Sequence, residues 1–240
     1  MGGGASIWSG PDGHEVEPGW WRSMSGSPFA DYNVLLCYGP DPELVTRSIE
    51  VVTASKRPAN IMLAGPSLAN AQILGDIGWV CIGSAPVMAL DGLDAMEFEI
   101  DPNVRRAGPD DVESVRNVVS GAYGMDAERA RVGIPDDVFD RAGQSVWILS
   151  VDGDVRGCQS TVVVGQTLVC WSMAIHPAWQ RHGYGRSLMT SVLALNAAEG
   201  VTSSIKCTSA AAESLNHSLG FQVIEHWQLW SRPRWALGRN

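Results

Sequence analysis

The 240-residue sequence predicts a mixed α/β chain of the α+β kind, and three observations carry that reading. Leu168 to Ile175 is an apolar run of strand length that stops at Pro177. A helical pattern follows, with Leu188, Met189, Val192 and Leu195 on one face and Gly200 as its stop. Upstream, Val146–Val151 and Val155–Val164 flank Asp152-Gly153-Asp154, the signature of an antiparallel hairpin. Strands joined both by helices and by tight turns give a mixed sheet.

The remaining elements follow in chain order. Residues 1 to about 30 are rich in Gly, Ser and Pro, yet hold Trp8, Trp20 and Trp21. That much aromatic surface is at odds with a free tail, so a segment 1–31 that packs without regular structure is expected. Tyr32–Tyr38 reads as an apolar strand, and a helix opens near Asp41-Pro42 and carries Leu44, Ile49 and Val52. A strand at Ile61–Ala64, a helix from Ser67 to Ile77 and a strand from Val80 to about Leu90 complete a first domain, 32–100.

The second domain, 101–240, starts with a short strand at Val104–Arg106. Gly108-Pro109-Asp110-Asp111 is a helix start, with proline early and carboxylates near the positive helix end. That helix runs through Val112, Val115 and Val119 to Gly121–Gly124, and a second covers Ala127–Arg141 with a break near Gly133–Pro135. After the hairpin, Gly165-Gln166 turns into the central strand. Ile205–Thr208 is a further strand, Ala210–Leu219 the last helix, and Gln222–Arg232 a strand that closes this domain's sheet.

Between the central strand and its helix lies Gln180-Arg181-His182-Gly183-Tyr184-Gly185. A strand, glycine loop and helix in this order offer unpaired N–H groups and a positive helix end to an anion. Gly183 and Gly185 let the backbone approach it, Arg181 and Arg186 add charge, and Ser187 adds a hydroxyl. A diphosphate fits. A dinucleotide fingerprint would need glycine at position 188, which is Leu188, and no Gly-Lys-Ser/Thr follows for a P-loop.

Gln180-x-x-Gly183-x-Gly185 after Ala174-Ile175-His176-Pro177, with the stretch from Thr208 to Phe221, resembles the acetyl-CoA loop and terminal helix of the GNAT superfamily of N-acetyltransferases. The resemblance spans roughly residues 104–232. It implies the GNAT acyl-CoA N-acyltransferase fold. Aligning Gly78-Trp79 with Gly220-Phe221 pairs Ser67 with Ser209, Ile73 with Leu215 and Ile77 with Leu219. The first domain then reads as a degenerate GNAT-like copy, as several bacterial members carry, without the glycine–arginine loop. Its expected work is to shape the substrate cleft or an interface.

The resemblance implies a site as well as a fold. The pantetheine arm would pair with backbone groups of Met173, Ala174 and Ile175. The diphosphate would sit on Arg181, His182, Gly183, Tyr184, Gly185 and Arg186, with Ser187 beside it. Ser209 is either a cofactor contact or the N-cap of the last helix. Members commonly place a tyrosine, which protonates the leaving thiolate, four residues before the Gly-Phe glycine. Here that position is Asn216, grouped with the cofactor contacts, and an amide is no general acid. Tyr123 is a substitute acid or a packed aromatic. His176 reads as structural, and with no Glu or Asp on the central strand an ordered water is the expected base.

Composition narrows partners. Residues 1–100 hold 4 Lys+Arg against 12 Asp+Glu, while residues 101–240 hold 13 against 14. The acidic half is a poor partner for nucleic acid and favours a cationic amine only if it lines the site. No apolar run reaches membrane-span length, the start lacks signal-peptide character, and the five cysteines form no metal-ligand spacing. The expectation is a cytoplasmic enzyme without a metal, monomer or homodimer, using acetyl-CoA to acetylate a small-molecule amine. The alternative is a catalytically lapsed acyl-CoA-binding sensor or scaffold.

Overall fold

The computed structural model describes residues 13–141 and 143–236. It divides into two compact units. One takes the chain up to Val87 and again from Val223, and the other is Met88–Gln222. This differs from the expected cut at 100/101, because strand pairing draws the chain's last strand to the first unit and the end of β5, Val80–Asp91, to the second.

In the first unit the strand order is β1-β2-β3-β4-β11, from His14–Glu17, Trp20–Met24, Asn33–Cys37, Asn60–Leu63 and Gln222–Ser231. β3 and β4 run parallel, joined by helix α1, Glu43–Ser55, and the other neighbours are antiparallel. The segment expected to be irregular therefore forms a hairpin over residues 14–24, while Trp8 lies outside the described residues. The hairpin turns at Pro18-Gly19, where Gly19 has a φ of 79° and a Cβ would stand 2.9 Å from the Gly39 Cα. Trp20 has no exposed surface, and its indole N–H donates to Ser48 Oγ of α1 at 2.7 Å. Burying Trp20 against α1 and Trp21 against Val34 and Leu36 of β3 is what orders this stretch.

The helix expected from Ser67 to Ile77 is a 3-10 turn at Gly65–Asn70 followed by a short α2, Ala71–Asp76. Its end repeats the end of α6, Ala210–Ser218, bond for bond. Gly78 N–H donates to Gly75 O and Trp79 N–H to Leu74 O, while Gly220 N–H donates to His217 O and Phe221 N–H to Asn216 O. Both glycines are left-handed, with φ of 80° and 95°. The two copies share this helix-to-strand corner.

The second unit orders its strands as the end of β5, then β10-β9-β8-β7-β6, from Ser203–Cys207, Thr167–Ile175, Asp154–Val164, Gln144–Val151 and Val104–Arg106. β9 and β10 are parallel, and β6 to β9 are antiparallel. Helix α3, Val112–Tyr123, buries Val115, Val118 and Val119 against Ile148, Cys158 and Ala174. Helix α5, Tyr184–Ala197, fully buries Leu188, Met189, Val192 and Leu193. A Cβ on Gly157 would lie 3.5 Å from Leu188, while its neighbour Cys158 packs toward α3, so the two helices cover opposite faces. The expected break in the second helix is real: α4 is Ala127–Gly133, and a 3-10 turn follows at Val138–Asp140. β11, expected to close this sheet, pairs with β4 of the first unit. No helix among the described residues is long and apolar enough to cross a membrane.

Candidate functional site

The central strand β9 carries an irregularity that shapes everything near it. Cys158 pairs with Ala174 and Ser160 with Trp171, so Gln159 alone faces both Ser172 and Met173. This is a β-bulge, which bends the strand and turns backbone groups out of the ladder. Ser172 there has a φ of 49°. Among the described residues four non-glycines have positive φ, and two of them, Ser172 and Arg181, belong to this site.

On its other side β9 pairs with β10 only from Thr167↔Ser203 to Cys170↔Lys206. Beyond that the strands part and open a cleft of about 730 Å³, which lies wholly in the second unit. Met173, Ala174, Ile175, Arg181, Gly183, Gly185, Arg186 and Ser209 all line it. Tyr123, Gln159, Lys206 and Leu215 line it too.

At the mouth is the loop from Arg181 into α5. Arg181 and Gly183 are left-handed, with φ of 67° and 84°, which turns successive N–H groups inward. Among the hydrogen bonds of the described residues, none uses a backbone N–H of residues 181–186, and the first bonded one is Ser187 N–H on Gly183 O. A Cβ on Gly185 would come to 3.5 Å from both Met173 and Leu215, filling the gap between β9 and α6. The cations at the mouth are Arg181 and Arg186, Lys206 lies deeper on β10, and no Asp, Glu or His is among the cleft's lining residues. Six free donors, a gap kept open by glycine and positive charge alone fit a diphosphate-bearing coenzyme.

The other expected contacts sort by where their side chains go. Ser187 donates its hydroxyl to Asp101 rather than facing the cleft. Burial raises the Asp101 carboxyl, but donors from Ser187 and Asn103 outweigh it and hold the group below its usual range. Asn216 is fully buried, its amide N–H₂ donates to Thr208 Oγ1 at 2.8 Å, and it is absent from the cleft. Tyr184 turns its hydroxyl to Arg156, at 2.5 Å, and stacks on His182 at 6.0 Å, so neither ring enters the cleft. Arg156 also lies 4.0 Å over the Trp179 ring, bracing the loop from behind. Ser209 makes no side-chain cap to α6, which leaves its hydroxyl to the cleft. His176 is structural, its Nδ1 accepting the Ala178 N–H.

Tyr123 stands at the end of α3 and donates its hydroxyl to Met173 O at 2.6 Å. Although 47 % of the residue is exposed, its hydroxyl end is tucked against the bulge. Burial there, with Cys158 behind, pushes the phenol up to about 12. Gln180 folds back to donate to Ile175 O at 3.2 Å. The carbonyls of Met173 and Ile175 are thus already engaged, which narrows the backbone pairing expected for an incoming arm. Lys206 and Gln159 escaped the sequence reading. Lys206 on an apolar strand was the one visible signal. No group of His, Cys, Asp and Glu among the described residues is placed to hold a metal.

Comparison with known proteins agrees with this geometry. A family model described as an acetyltransferase (GNAT) domain matches residues 142–223. No curated protein matches the sequence. Among solved structures, a GCN5-related N-acetyltransferase from Kribbella flavida is similar, with a TM-score of 0.67 and 17% identity over 97% of this chain and 96% of that one. A GCN5-related N-acetyltransferase from Sphaerobacter thermophilus gives 0.62 and 15% over 88% and 76%. A tandem GNAT protein from the clavulanic acid biosynthesis pathway gives 0.58 and 14% over 94% and 85%. Residues 142–223 thus match the acetyltransferase (GNAT) domain, and the chain shares the fold of these GCN5-related and tandem GNAT structures.

Proposed function

We propose that the chain is an acetyl-CoA-dependent N-acetyltransferase that acetylates the amine of a small molecule by direct attack in a ternary complex. The observation that carries this is the run of six unbonded N–H groups at 181–186, beside a strand whose partner has parted from it. Acetyl-CoA, when bound, supplies a thioester already activated toward amines. The loop N–H groups with Arg181 and Arg186 would hold its diphosphate, and Ser209 would meet the arm. Fixing both reactants supplies most of the rate in such a reaction, and N–H groups on the bulged strand are placed to polarise the carbonyl.

Proton handling falls to few groups. With its phenol near 12, Tyr123 stays protonated at neutral pH and would donate to the departing sulfur once its single O–H turns from Met173 O. No carboxylate or imidazole lines the cleft, so the attacking amine gives its proton to water. No acidic side chain lines the cleft, so amine charge is not what its walls select.

The burial of Asn216 favours a second reading, a lapsed enzyme that binds acyl-CoA as a sensor or scaffold. Thiol release from acetyl-CoA against a broad amine panel, with calorimetry of coenzyme A in parallel, separates them. Turnover supports the transferase; tight binding without turnover supports the sensor. Absence of binding refutes both.

A further inference from the structure

The narrow end of the cleft, where β9 and β10 part, holds polar groups that acetyl transfer does not use. Gln159 has no exposed surface, and neither its amide nitrogen nor its oxygen has a hydrogen-bond partner. Lys206 is 5 % exposed. Its ammonium reaches only the Met189 sulfur, at 3.9 Å, and lies 5.7 Å from the Phe221 ring. No carboxylate lines the cleft to balance it. Beside the Cys170 thiol, which neighbours both groups, no charged acceptor lines this end, so it is short of negative charge. Buried groups in that condition are costly unless something meets them.

What meets them follows from the direction of the cleft. The anion-binding loop lies beyond Ile175, whereas Lys206 pairs with Cys170, five residues back along β9. That is ~17 Å of extended strand. An arm anchored at the loop and following β9 delivers its acyl end to Lys206 and Gln159. A methyl group satisfies neither.

We propose that the preferred donor carries a dicarboxylic acyl group, of the malonyl or succinyl kind, whose free carboxylate is received by Lys206 and Gln159. This rests on the coenzyme A reading above and deepens it. The transfer keeps its balance: the amine nitrogen bonds to the acyl carbon as the C–S bond breaks. The sulfur leaves with the electron pair and takes a proton, the amine loses one to water, and the distal carboxylate is unchanged. Burial holds the Lys206 amine below its usual range, which a carboxylate partner would reverse.

Calorimetry on the full chain tests this with coenzyme A, acetyl-CoA, malonyl-CoA and succinyl-CoA, using Lys206→Met and, as a second variant, Gln159→Leu. One dicarboxylic thioester should bind about 10- to 100-fold tighter than acetyl-CoA, the range for hydrogen bonds to a charged group. That gap should shrink to within about threefold in Lys206→Met and narrow in Gln159→Leu, with coenzyme A itself bound equally by all three proteins. Equal affinity for acetyl and dicarboxylic donors in the native protein, or a gap that survives both substitutions, overturns the inference while leaving the coenzyme site intact. Failure of coenzyme A to bind at all overturns the underlying reading instead.

Discussion

Replacing Gly185 by aspartate should abolish coenzyme A binding without harming the fold. The added Cβ would sit 3.5 Å from Met173 and Leu215 and 3.8 Å from Ile175, all ordinary contacts. Gly185 is in the first turn of α5, where a carboxylate interacts favourably with the helix end by ~0.3–1 kcal/mol. The empty variant should therefore melt no lower than the native protein. Toward the ligand the sign reverses. A like-charge pair ~5 Å apart at an effective dielectric of ~20 costs ~3 kcal/mol, or more than ~100-fold in affinity. Gly185→Ala isolates the steric part, ~1–2 kcal/mol of crowding. Calorimetry with coenzyme A and thermal denaturation of both variants read the two effects apart. Native affinity in Gly185→Asp would refute the anion loop.

Three further outcomes follow from features already described. Tyr123→Phe should lower turnover about 10- to 100-fold in a thiol-release assay and leave coenzyme A affinity within about twofold; unchanged turnover removes Tyr123 from the chemistry. Trp20→Ala should destabilise the first unit by ~3–5 kcal/mol in urea denaturation, since a fully buried indole and its bond to Ser48 are lost. A cost below ~1 kcal/mol would mean that the hairpin is not part of that core. Hydrogen bonds from Arg105 hold the Asp111 carboxyl below its usual range, against burial, and the Gly108 N–H assists. A depressed carboxyl contributes stability above its unfolded value near 3.8, and that contribution is lost as pH falls through the lower folded value. Denaturation below pH ~4 should thus show a weaker acid dependence in Asp111→Asn; an identical dependence would mean that the Arg105 contact contributes nothing.

What could be read in the sequence was what repeats with a period. β9, the loop and α5 were legible because an apolar run, two glycines and a helical stripe are local signals. The hairpin at β7–β8 was legible for the same reason, its Asp152-Gly153 turn adopting φ of 55° and 87°. The hairpin at residues 14–24 was obscured because its strands hold 4 and 5 residues, too few to show alternation. Ser172 carries no mark of its left-handed backbone, since only surrounding structure holds a serine there. Side-chain direction was also hidden. Ser187 found Asp101, 86 residues away, and Asn216 turned inward to Thr208. Both choices depend on tertiary neighbours, which motif spacing cannot reveal.

The pairing of β11 with β4 also sets an order of assembly. Gln228 lies opposite Leu63, and Glu225 accepts the Gly65 N–H across 160 positions of chain. A nascent polypeptide exposes β1 to β4 well before their missing neighbour, which follows the whole of the second unit in the chain. The first unit must then wait with β4 open on one edge while the second unit is made, so the part begun first is completed second.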